Sequence, residues 1–110
     1  MPHLMAKMST LLLVISSTAV FAADQSAWDE CTHTRDSDAS IAACTKILQG
    51  ADETTSNRAI AYYARAGAYK TKGDNDQAIA DYTKAIEANP HYADAYAGRG
   101  IVYQINMVWD

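Results

Sequence analysis

Between Ala59 and Pro90 the chain alternates small and aromatic residues at helical spacing. Tyr62, Ala66 and Tyr69 fall four and three apart on one face of a helix, and Ala78, Tyr82 and Ala85 do the same further on. The two runs are separated by Gly73-Asp74-Asn75, and the second is closed by Asn89-Pro90, residues that turn a chain and stop a helix. Two antiparallel helices are expected.

Upstream the pattern is weaker but of the same kind. Ala27, Trp28 and Cys31 form an apolar stripe after Asp24, a candidate helix cap, and Arg35-Asp36-Ser37-Asp38 breaks it. The stripe resumes over 39–49 with Ile41, Cys44 and Leu48, ends at Gly50, and is followed by a polar linker, 51–58. After Pro90, Tyr96, Arg99, Gly100 and Tyr103 repeat the spacing of Tyr62, Arg65, Ala66 and Tyr69, each at the same offset from its counterpart. Met107 then stands where Gly73 turned the previous pair, so the last helix is expected to run on through Tyr103 towards Trp109.

Tyr62-x-x-Arg65-Ala66-x-x-Tyr69, followed by Ala78-x-x-x-Tyr82-x-x-Ala85 and Pro90, closely resembles the tetratricopeptide repeat, a helix-turn-helix unit whose period equals the Tyr62-to-Tyr96 offset. Arg65 departs from it, standing where the pattern has Leu; an Arg is accommodated there if its stem packs and its guanidinium reaches water. A single shift lays Ile41-Ala42-Ala43-Cys44-Thr45-Lys46 under Ile79-Ala80-Asp81-Tyr82-Thr83-Lys84, and Cys31 under Tyr69. That shift is slightly longer than the period, so the first pair reads as a divergent copy with a longer loop. The resemblance implies an all-α fold of antiparallel helix-turn-helix repeats, about two and a half units of a right-handed α-solenoid. The expected divisions are a divergent hairpin at 23–50, a linker at 51–58, a repeat at 59–92 and the first helix of an incomplete third repeat at 93–110.

The segment 1–22 reads as a signal peptide of an exported, bacterial-type protein. Lys7 precedes an apolar run, Leu11 to Val20, which is too short to span a bilayer, and Val20-Phe21-Ala22 offers small residues for cleavage after Ala22. The mature chain is then expected in the periplasm or outside the cell, with no membrane span. In the repeat that Cys31 and Cys44 match, the corresponding tyrosines face each other across the helix pair. An oxidising compartment makes a Cys31–Cys44 disulfide the expectation, with two buried free thiols as the alternative.

Composition adds limits. The 110 residues allow one domain at most, and 49% hydrophobic with 20% charged residues excludes a disordered chain. Loss of Lys7 leaves 8 basic against 13 acidic residues, a net charge of −5, so nucleic acid is not an expected partner. The mature chain holds only His33 and His91 as histidines and carries no nucleophile elbow, phosphate loop, dinucleotide fingerprint or zinc-protease motif. No enzyme activity and no cofactor are expected. Asp36-Ser37-Asp38 and Asp74-Asn75-Asp76 lack the Gly and distal Glu of a calcium loop and sit where a cap and a turn are needed.

What remains is binding. The resemblance implies a concave groove, lined by the first helix of each repeat, that takes a peptide or a partner's helix. It assigns to that groove Tyr63, Gly67, Lys70 and Thr71 from the middle repeat, Asp94, Ala97, Ile101 and Gln104 from the last helix, and Asp29 and His33 from the first. Tyr63 stands out as a candidate hot spot, the alternative being a ring packed against the neighbouring helix. Tetratricopeptide domains that clamp a carboxylate tail use Lys and Asn where this chain has Tyr63 and Gly67, so that specificity is not expected. The apolar residues Ile101, Val102, Ile105, Val108 and Trp109 exceed what one neighbouring helix covers, so the last helix is a candidate for self-association or for docking on a partner, the alternative being a terminal cap packed on the second hairpin. Two alternatives stand beside the interaction module: a secreted metal-binding or enzyme-accessory domain using Cys31, His33, Cys44 and His91, and a truncated fragment of a longer repeat protein.

Overall fold

A computed structural model describes residues 25–109. The expected leader, its cleavage point and the Asp24 cap lie outside the described residues. Within them the chain is all-α: α1 (25–33), α2 (Ser37–Gln49), α3 (Thr55–Lys72), α4 (Asn75–Ala88) and α5 (Ala93–Trp109). The helices pack in sequence order, α3 against both α2 and α4, and α4 against α5. That order follows from short connections, which set each helix beside its chain neighbours.

Capping fixes the ends. Asp36 accepts hydrogen bonds from the backbone N–H groups of Asp38 and Ala39, so α2 starts at Ser37, ahead of the apolar run. Thr54 accepts from Asn57 N–H, and α3 therefore begins at Thr55, inside the stretch expected as linker. Arg58 holds that early start in place. Its guanidinium donates to the carbonyls of Leu48 at 2.9 Å and Gly50 at 2.6 Å, satisfying groups that the end of α2 leaves open. At the far end of α3, Gly73 takes φ 83°, the left-handed conformation that lets the chain reverse immediately after the helix.

Two cores lie along the helix stack. Ala66, Ala78, Tyr82, Ala85, Ala95 and Val102 are buried together, with Tyr62, Tyr63, Tyr69 and Tyr92 packed around them. The alanines permit close helix approach and the rings fill the remaining space. The second core joins Cys31, Cys44, Ile47 and Ala61, flanked by Trp28 and Ala64. A Cys31–Cys44 disulfide ties α1 to α2 at its centre.

The buried face of α2 is Ser40, Cys44 and Ile47, whereas Ile41 and Leu48 are only partly covered. This stripe aligns with Ala78, Tyr82 and Ala85 when Ile41 is laid under Ile79; simple apolar counting misses it because Ser40 is polar. Its hydroxyl donates to the Cys31 carbonyl at 2.7 Å, which removes the cost of burying it.

Arg65 does not send its guanidinium to water as expected. Nε and Nη2 form a fork on the two carboxylate oxygens of Asp81, at 2.7 and 2.9 Å, while Nη1 donates to Thr45 at 3.0 Å. One arginine thus ties α3 to both neighbours. Asp81 is almost wholly buried, and its hydrogen bonding raises the Arg65 pKa further above the ordinary arginine range. The pair occupies the site of an aliphatic contact because each charge supplies the other's missing solvation.

Candidate functional site

The stripe Ile60, Tyr63/Ala64, Gly67 and Thr71 runs along α3 on a different face from Tyr62, Ala66 and Tyr69. It lines an open hollow of about 510 Å³, bounded by Cys31 and Thr32 at the end of α1, by Thr34, Arg35, Ser37 and Ser40 across the turn into α2, and by Tyr92 on the other side. Small residues Ala64, Gly67 and Ala68 keep the floor low. At Gly67 an added Cβ would meet nothing within 4 Å, so the glycine is not demanded by packing and its emptiness belongs to the hollow.

Tyr63 combines the two roles weighed from the sequence. Its ring lies 5.1 Å from that of Tyr92 and 5.9 Å from that of Tyr82, both tilted, and one side still faces the hollow. Burial, with a smaller contribution from Tyr63, pushes the hydroxyls of Tyr82 and Tyr92 above the usual tyrosine range. Around the hollow hydroxyls are abundant, and Arg35 is the one charged side chain among the described residues that line it.

The structure brings together Tyr63, Gly67 and Thr71 of the residues assigned from the sequence. Lys70 is partly buried beside them and does not line the hollow. Asp94, Ala97, Ile101 and Gln104 form one exposed stripe of α5, away from that lining. His33 and Asp29 are exposed on α1, with Nδ1 and carboxylate 3.8 Å apart, and His33 also contacts the Thr32 hydroxyl. Ile60, Ala64, Arg35 and Tyr92 are additions. The first two stand three residues before Tyr63 and Gly67, on the same side of the helix; Arg35 and Tyr92 come from turns, for which no periodicity gives a direction.

The disulfide consumes both thiolates that a zinc site on Cys31, His33, Cys44 and His91 would need. Among the described residues no three His, Cys, Asp or Glu side chains group as metal ligands, and no helix is long and apolar enough to cross a membrane.

Residues 66–106 match the family model described as TPR repeat, the tetratricopeptide repeat. The match runs from the middle of α3 through α4 into α5, so this part of the chain is similar to that family. No curated protein and no solved structure matched the chain.

Proposed function

We propose that this TPR-repeat chain is a non-catalytic interaction module that receives a segment of another protein in the hollow between α1 and α3. TPR repeats are generally protein–protein interaction modules. The observation that carries the reading is the low floor of Ala64, Gly67 and Ala68 beneath walls of Ile60, Tyr63 and Tyr92. A floor of small residues admits a partner backbone closely, apolar and aromatic walls supply contact at small entropic cost, and the hydroxyls around it offer hydrogen bonds. Arg35 at the rim favours a segment carrying an acidic residue there.

The module works outside the cytoplasm in this reading. The apolar run Leu11 to Val20 supports export, and a disulfide at Cys31–Cys44 suits an oxidising compartment. The mass of the native protein tests this part: a chain beginning at Ala23 is expected, and an intact Met1 terminus with reduced cysteines counts against it.

Gly67→Trp tests the hollow, because the substitution fills it from a position where packing leaves room. Partners captured by the wild type from its native source are expected to be lost by Gly67→Trp while the melting temperature holds. Retention of every partner by a folded Gly67→Trp chain overturns the reading. Tyr63→Ala is the poorer probe, since it also removes the contacts with Tyr82 and Tyr92.

A further inference from the structure

The contacts that close the α3–α4 pair recur, half complete, on α5. Arg65 lies over the Tyr62 ring at 5.7 Å and donates to Thr45 on the preceding helix at 3.0 Å. Arg99, its counterpart in the next repeat, lies over the Tyr96 ring at 5.6 Å and donates to Thr83 on the preceding helix at 3.2 Å. Each guanidinium is thus held in the same pose by its own helix and the one before. What differs is the remaining face. Arg65 has the fork from Asp81; among the described residues no carboxylate bridges Arg99.

The apolar surroundings show the same difference. Ala66 is fully buried under α4, while its counterpart Gly100 is exposed with open space where a Cβ would stand. Tyr62 and Tyr69 pack into the core, while their counterparts Tyr96 and Tyr103 are each 46% exposed. The other face of α5 is already used: Ala95, Gly98 and Val102 are buried.

We propose that this face of α5 accepts one amphipathic partner helix, bearing two small residues and a carboxylate at the spacing that Ala78, Asp81 and Ala85 have on α4. The small residues would close over Gly100, where no Cβ stands in the way, and the carboxylate would complete the fork on Arg99. A second copy of α5 is the weaker fit. A two-fold pair centred on Gly100 sets Arg99 near its own image, and the acidic residue of α5, Asp94, lies more than a helical turn away from that height. This surface is separate from the hollow at Gly67, and its failure would leave the reading of the hollow untouched.

The test uses the purified full chain and a capped peptide of residues 74–90, followed by NMR. Binding is expected to shift the amides of Gly100 and Tyr103 and spare that of Ala66. Asp81→Asn in the peptide and Arg99→Met in the chain should each weaken binding about tenfold, and the two together no further, as for one shared ion pair. The peptide change cannot disturb the chain's fold, so it stands if Arg99→Met proves unstable. Absence of binding, binding indifferent to both changes, shifts centred on Ala66, or a dimer that already shields Gly100 and Tyr103 would each overturn the proposal.

Discussion

The ring of Tyr82 on α4 rests against the backbone of α5 at Gly98: a Cβ added there would meet Tyr82 Cζ at 2.6 Å and Oη at 2.8 Å. The corresponding pair one repeat earlier is Cys44 and Ala64. With a disulfide sulfur in place of a phenol, the next helix can carry a methyl group at this height. The size of the residue on one helix therefore sets the residue allowed on the next.

Gly98→Ala is expected to lower stability by about 1–2 kcal/mol, because the clash with a buried ring outweighs the gain in helix propensity. Gly67→Ala, with nothing in reach of the new methyl, should raise it by up to about 1 kcal/mol. Denaturant titration of the two variants reads the sign directly. Equal shifts in the same direction would mean that Tyr82 moves aside freely.

Removing one member of the Arg65–Asp81 pair leaves the other without its partner. Asp81→Ala should cost about 2–3 kcal/mol, below the full value for a buried pair because the Arg65 side chain keeps 18% of its surface in water. Arg65→Leu combined with Asp81→Ala restores the aliphatic residue of the family pattern and should recover most of that loss. A double-mutant cycle by chemical denaturation checks it, and a double variant as unstable as the sum of the singles contradicts the account.

The disulfide spans 13 residues in sequence, and its reduction should cost about 3 kcal/mol. For a domain of this size that corresponds to a fall in melting temperature of about 12–24 °C. Thermal scans with and without reductant measure it. A change of only a few degrees would show that the α1–α2 packing around Trp28 and Ile47 is sufficient alone.

Tyr82 and Tyr92 hold their protons more tightly folded than unfolded, since burial disfavours the phenolate. Their contribution to stability is complete below the unfolded pKa of about 10, and declines as pH rises from there through the folded values. Absorbance titration should show Tyr82 and Tyr92 ionising in a late phase above the usual tyrosine range, with loss of helix accompanying it. Simultaneous ionisation of all tyrosines without loss of helix would contradict it.

Helices and turns were legible in the sequence, because local periodicity and cap chemistry decide them: Tyr62, Ala66 and Tyr69 share a face on any α-helix, and Gly73 is the residue that permits the turn's positive φ. The surface stripe of α3 through Tyr63, Gly67 and Thr71 was legible only through the resemblance, which assigned those residues together with Lys70. Which helix lay against it was not. Arg35 and Tyr92 reach the hollow from turns, Arg65 turned from water to Asp81 on the next helix, and α3 began at Thr55 because Arg58 found the open carbonyls of α2. Those outcomes depend on side chains meeting across helix boundaries, where distance and burial decide whether a charge is solvated by water or by a partner. Only the packed structure brings such partners together.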